Sequence, residues 1–285
     1  MTRCYDGPVM KDLAHKTAVI TGAASGLGLA MAKRFARVGM SIVLADIEDV
    51  ALAKATDEIL ALGVPALPVR VDVSQAQSVE ALAEATLSRF GNVHLVCNNA
   101  GVGGLRRRAW EADLRDWKWV LGVNLWGVIH GVKSFVPRML AQGGECHMVN
   151  TASVAGLLST PAMSVYNVSK HGVVTLTETL YHDLAEIGAK LKVSLLMPAW
   201  VDTAIWDSER NRPDGLRVPE VEEADRARRL AMRDLLKKGK VGADNVADMV
   251  LDAVLNERFY VMTHPRIGAA IEARTNAILD GRPPD

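Results

Sequence analysis

The chain has 285 residues, and its 33 basic and 33 acidic side chains cancel to a formal net charge of +0, which recommends neither a nucleic-acid backbone nor an anionic membrane as partner. With 49% apolar and 23% charged residues it has the make-up of a folded globular protein and not of a disordered one. The three cysteines (Cys4, Cys97, Cys146) form no CxxC pair, and no segment reaches about 18 uninterrupted apolar residues, so the expectation is a cytoplasmic protein with reduced thiols.

Residues 1–12 have no apolar signal-peptide core and read as a flexible N-terminus. Ala18–Thr21 is then a short apolar run, followed by the turn TGAASGLG (Thr21–Gly28) and a helical stripe of Leu27, Met31, Phe35 and Val38. Ile42–Ala45 is a second run, closed by Asp46. Ala66–Val71 is a third, leading into Asp72 and Val73 and a helix bearing Leu82, Ala85, Leu87 and Phe90. His94–Cys97 is a fourth, ending in Asn98, Asn99, Ala100 and Gly101. A long helix near Asp113–Met139 carries Asn124. The fifth run, His147–Thr151, leads to Ser153, and the helix Ser164–Ile187 carries YNVSK. Val193–Met197 is the sixth run, followed by PAWVDT, and a last run lies near Phe259–Met262. These runs are rich in Val, Ile, Leu and Met and do not alternate, as in strands buried on both faces of a parallel sheet. Strand and helix alternating in this way predict one α/β domain: a Rossmann-type, doubly wound parallel sheet of about seven strands, with helices on both faces. Residues 204–240, rich in Arg, Glu, Asp and Pro, break the rhythm just after a strand end and read as a substrate lid.

The spacing of Gly22, Gly26 and Gly28 after a strand and before a helix suits a dinucleotide, since a tight glycine turn lets backbone N–H groups approach a pyrophosphate. Asp46, closing the next strand, can accept hydrogen bonds from the adenosine ribose hydroxyls and would repel a 2′-phosphate. Neither Ser25 nor Ile47 is basic, so NAD is expected over NADP. Asp72–Val73 and the Asn99–Gly101 turn also stand at carboxyl ends of strands, where open α/β sheets bind ligands.

Tyr166 and Lys170 are four residues apart, about one helical turn, and project from one face. An ammonium beside a phenol favours the phenolate, so Lys170 is expected to lower the Tyr166 pKa and fit it for acid/base work. A lone YxxxK is common by chance.

Taken in order, TGAASGLG, Asp72, NNAG, Asn124, Ser153, YNVSK and PAWVDT resemble the short-chain dehydrogenase/reductase family across nearly the whole chain. The resemblance implies that Gly22, Ser25, Gly26, Leu27 and Gly28 hold the pyrophosphate and adjacent ribose, Asp46 the adenosine ribose, and Asp72 with Val73 the adenine. It implies that Asn99, Ala100 and Gly101 line the cofactor channel, with Pro198, Val201 and Thr203 at the nicotinamide. Tyr166 (general acid/base), Lys170, Ser153 (polarising the substrate oxygen) and Asn124 (positioning a relay water) form the implied catalytic set, with Tyr166 and Lys170 also at the cofactor. Ala199 stands where the family's motif has glycine, which puts that turn's backbone in question. Leu157, Leu158, Met163, Trp200 and Trp206 flank the nicotinamide by analogy and, with Ser153, suggest an apolar substrate pocket. The implied activity is hydride transfer between NAD(H) and a secondary alcohol or ketone, hydrophobic or aromatic. A steroid or hydroxyacyl-thioester substrate, or a catalytically idle dinucleotide sensor or scaffold, are the alternatives. The helices near 113–139 and 164–187 resemble the family's dimer-forming pair, implying a homotetramer or homodimer. No metal-ligand spacing is present, Arg106–Arg108 reads as a solvated charge run, and His171 faces away from the Tyr166 face.

Overall fold

The computed structural model describes residues 10–218 and 241–284, with residues 227, 230, 231, 233 and 234 between them. Seven strands pair in the order β3-β2-β1-β4-β5-β6-β7, every neighbouring pair parallel. They are β1 Thr17–Thr21, β2 Ser41–Asp46, β3 Ala66–Arg70, β4 Leu95–Asn98, β5 Cys146–Thr151, β6 Leu191–Met197 and β7 Tyr260–Met262. The helices are α1 Gly26–Arg37, α2 Asp49–Leu60, α3 Ala76–Phe90, α4 Leu114–Leu121, α5 Gly127–Ala141, α6 Ser164–Glu186, α7 Ala243–Leu255 and α8 Gly268–Leu279.

Successive strand side chains point to opposite faces, and both faces here are covered. Ala18, Ile20, Ile42 and Leu44 pack with Met31 and Phe35 of α1, Ile59 of α2 and Val250 of α7. Val19, Val43 and Val96 pack with Leu82 of α3, Phe135 and Met139 of α5 and Leu180 of α6. That is why the strands read as unbroken apolar runs. The exception is β3, an edge strand whose Pro68 and Arg70 are exposed while Leu67 and Val69 pack inward. An edge tolerates Pro68, whose missing N–H costs no ladder bond there.

Of the N-terminal stretch, residues 1–9 lie outside the described residues, whereas Met10 and Leu13 are buried against the α1 layer. The long helix around 113–139 is interrupted by a π-helical turn, Gly122–Trp126, with Asn124 fully buried in it. After β6 the chain runs through two short 3₁₀ turns, Ala204–Asn211 and Asp214–Leu216; most of 219–240 lies outside the described residues. This segment is pinned to α4 by a buried ion cluster. Arg212 donates to Asp116 and, at 2.7 Å, to Glu209, and its guanidinium lies 4.0 Å from the centre of the Trp119 ring. Strand order reverses between β1 and β4, so the carboxyl ends of these strands open a crevice. No helix among the described residues is long and apolar enough to cross a membrane.

Candidate active site

Thr21 ends β1 and binds two strand ends together. Its hydroxyl accepts from the Asn99 and Ala100 N–H groups at 2.9 and 3.0 Å and donates to the Cys97 carbonyl at 3.3 Å. The glycine turn therefore lies against the Asn99–Gly101 turn. Gly22 has φ +67°, which L side chains seldom adopt. A Cβ on Gly28 would stand 1.9 Å from the Gly22 carbonyl oxygen, so glycine alone lets α1 start across the turn. No acidic residue stands in the first turn of α1 and no side chain caps it. A positive helix end under a glycine cradle fits a pyrophosphate.

Asp46 is half-buried at the end of β2. One carboxylate oxygen accepts from Ala24 N at 2.9 Å and the other from Glu48 N at 3.1 Å. Burial raises its pKa, and these N–H bonds work against that rise. Each oxygen keeps a lone pair that can receive a ribose hydroxyl. Asp72 accepts from Ser74 N at 2.9 Å through one oxygen, leaving the second.

One cavity of ≈ 1130 Å³ runs along these strand ends. Its wall includes Gly22, Ser25, Gly26, Leu27, Asp46, Asp72 and Val73, then Asn99, Ala100 and Gly101, then Ser153, Tyr166, Lys170, Pro198, Val201 and Thr203. Tyr166 and Lys170 share a face of α6, with the Lys170 Nζ 5.7 Å from the Tyr166 ring centre. Lys170 is 3% exposed and donates to the Thr151 carbonyl at 3.0 Å; burial lowers its pKa to about 8. Burial raises the Tyr166 pKa, with hydrogen bonding to Ser153 opposing it. Desolvation is the largest influence on the phenol, and the same burial weakens the Lys170 ammonium.

Ser153 is buried after β5. Its Oγ donates to the Pro198 carbonyl at 3.2 Å and accepts from Ala155 N at 3.2 Å, which ties it to the PAWVDT turn. Ala199 is not among the described residues with positive φ, so this turn needs no glycine there. Asn124 is not on the wall. Its Oδ1 accepts from Val102 N at 2.8 Å, and its Nδ2 donates to Val102 O at 3.0 Å and Ser169 Oγ at 3.1 Å. It thus clamps the loop after Gly101 to α6, and both amide hydrogens are in use.

Met163, Leu158, Trp200 and Trp206 lie on the cavity wall. Leu157 does not; it packs against the core cluster that contains Val128, Ala152 and Val174, a correction that follows from Leu157 and Leu158 facing different ways after the 3₁₀ turn Val154–Gly156. Trp119, Ile205 and Leu216 complete the apolar wall, and spacing gave no sign of them. Arg106, in the run read as solvated, also lines the cavity; Arg107 bridges to Met163, and Arg108 is exposed beside Glu111. His171 bonds through Nδ1 to the Asn167 carbonyl at 2.9 Å. Among the described residues no group of three or more His, Cys, Asp or Glu could hold a metal.

Comparison with known proteins matches residues 16–214 to the model of a short chain dehydrogenase. A solved short chain dehydrogenase/reductase from Burkholderia phymatum, in complex with NAD, is 48% identical with a TM-score of 0.94, over 97% of this chain and 98% of that one. The chain is 34% identical to 1-deoxy-11-beta-hydroxypentalenate dehydrogenase of Streptomyces arenae, over 87% of this chain and 82% of that protein. It is 37% identical to cyclohexanol dehydrogenase of an Acinetobacter strain, over 67% and 75% of the two chains.

Proposed function

The chain belongs to the short-chain dehydrogenase family, and from that premise we propose that it moves a hydride between NAD(H) and the carbinol carbon of an apolar secondary alcohol or its ketone. The observation that carries this reading is the convergence of Ser153, Tyr166 and Lys170 on one wall of the cavity that begins at the glycine turn. The apolar side chains Trp119, Met163, Trp200 and Ile205 around that convergence favour a hydrophobic or aromatic substrate.

In the oxidative direction Tyr166, as phenolate, takes the hydroxyl proton, and the Ser153 hydroxyl donates to the substrate oxygen and steadies the charge that develops there. When bound, an oxidised nicotinamide supplies the hydride acceptor and a positive charge beside the phenol. Lys170 would hold a ribose hydroxyl of the cofactor and pass the proton outward. Asn124 fixes the wall behind Lys170: a Cβ at Gly101 would stand 3.5 Å from Asn124 Oδ1 and 3.6 Å from Lys170 Nζ. A relay water held in that niche completes the proton path.

Asp46 favours NAD over NADP, because a carboxylate at the ribose repels a 2′-phosphate. The segment from Ala204 onward caps the cavity, with Ile205, Trp206 and Leu216 at the substrate end. Half-exposed Val168 and Tyr181 on α6 support a homodimer or homotetramer formed through the α5–α6 face of a cytoplasmic protein.

The test is Tyr166→Phe with NADH followed by absorbance and by binding. Turnover of secondary alcohols disappears while NADH affinity stays within a few-fold; retained turnover refutes the acid/base role. Equal or better efficiency with NADP refutes the role given to Asp46.

A further inference from the structure

Glu48 stands two residues beyond Asp46 at the N-cap position of α2, where its side chain makes no bond to the helix. Its carboxylate does not face bulk solvent alone. It receives Arg210 Nη2 at 2.6 Å, Arg210 Nε at 3.3 Å and Asn211 Nδ2 at 2.8 Å, from residues more than 160 positions later in the chain. Glu48, Arg210 and Asn211 all lie on the cavity wall. The far end of the same guanidinium donates through Nη1 to Ala204 O at 3.3 Å and Asp207 O at 2.9 Å. Ala204 follows Thr203, whose side chain lies 3.3 Å from where a Gly26 Cβ would stand. The chain from Thr203 to Asn211 therefore starts over the glycine turn and is fastened at the end of β2, across the adenosine half of the crevice.

We propose that Glu48, Arg210 and Asn211 are dinucleotide-retaining residues: they clasp the segment after β6 across the adenosine end, and Arg210 adds a contact to the ribose-phosphate. The clasp rests on the dinucleotide reading above and extends it to residues outside the glycine turn. A guanidinium has five N–H donors in a fixed fork. Four face Glu48, Ala204 and Asp207, and the remaining Nη2 hydrogen is available to an oxygen of the ligand. The sequence TGAASGLG contains no Lys or Arg, so the glycine turn itself brings no cationic side chain to the pyrophosphate. The other cations on the wall are Arg106, Lys118 and Lys170, and Lys170 is engaged with Thr151. Arg210 is the one joined to the carboxylate beside Asp46. A dinucleotide seated between the glycine turn and this clasp leaves only when the Glu48–Arg210 pair opens, so the pair sets residence time more than the rate of chemistry.

Stopped-flow displacement of NADH and NADH fluorescence titration test this on the full-length protein, with the thermal midpoint of each variant as a folding control. Arg210→Ala is expected to speed NADH release about tenfold, and Glu48→Gln about three- to fivefold, in the range of a partly exposed charge pair. The double variant is no faster than Arg210→Ala, because both changes open one clasp. Arg210→Lys, which keeps the charge and loses the fork, falls between wild type and Arg210→Ala. Release from Arg210→Ala within twofold of wild type, in a variant with unchanged midpoint, overturns the clasp and leaves the dinucleotide reading standing. A wild-type chain that binds no NADH removes both.

Discussion

Lys170→Met is expected to abolish turnover and yet stabilise the fold at neutral pH. Burial lowers the Lys170 pKa from an ordinary 10.5 to about 8. At about 1.36 kcal/mol per pH unit, holding the ammonium charged in the fold costs about 3 kcal/mol. Below about pH 8 the lysine is charged in both folded and unfolded chains, and the full cost is present. Between about 8 and 10.5 the folded lysine is neutral while the unfolded one still binds its proton, so wild-type stability rises with pH through this window. Methionine removes the cost at every pH, but it also leaves the Thr151 carbonyl without its 3.0 Å donor. An orphaned buried carbonyl costs about 1–3 kcal/mol, so the net gain at pH 7 is about 1 kcal/mol. By pH 9.5 the wild type has recovered about 2 kcal/mol, and the variant is the less stable of the two. Urea unfolding of both proteins at pH 7 and pH 9.5 measures this. A variant more than about 1 kcal/mol less stable at pH 7, or a difference that does not change with pH, would falsify the assignment of a desolvated, charged lysine.

Asp116→Asn leaves the buried Arg212 guanidinium, which like Asp116 is 2% exposed, with Glu209 as its one carboxylate partner. A loss of about 3 kcal/mol in chemical unfolding is expected, with a raised KM because Trp119, a wall residue on which the Arg212 guanidinium rests, loosens. An unchanged midpoint would show that Glu209 suffices. Gly28→Ala forces a Cβ to within 1.9 Å of the Gly22 carbonyl, and backbone must move to relieve it. NADH affinity falls by at least about tenfold and stability by about 2–3 kcal/mol; normal NADH binding contradicts the close approach of α1. Burial lowers the pKa of His147, which bonds to Ser194 Oγ at 2.8 Å inside the sheet, to about 3. Its unfolded form takes up a proton below about 6.5 while the folded form stays neutral, so wild-type stability falls with acid by about 1.4 kcal/mol per pH unit from this group. His147→Gln flattens the stability curve between pH 6 and 4, and an identical acid slope would refute the contribution.

The glycine cradle was readable from residues 21–28 because a turn and the helix that follows it are local: Gly22 needs its φ and Gly28 its missing Cβ within one short stretch. The same holds for Tyr166 and Lys170, which one helical turn puts on one face. Leu157 and Leu158 mark the limit of that legibility. Both are apolar neighbours, and only the path of the chain after the 3₁₀ turn Val154–Gly156 decides that Leu158 meets the cavity while Leu157 meets the core cluster around Val173 and Val174. Arg106 marks the same limit, since nothing in a run of three arginines shows which one the loop beside Met163 places on the cavity wall.

The apolar strand runs, the glycine turn, the acidic strand end at Asp46 and the Tyr166–Lys170 pair were legible along the chain, because each rests on residue types and spacing within a few positions. Tertiary structure alone decided three things. It raised the phenol of Tyr166 through burial, it joined Glu48 to Arg210, and it buried Arg212 against Asp116. Desolvation depends on everything packed around a group, and partners 162 and 96 residues apart meet only after the sheet has assembled. No spacing along the chain carries either quantity.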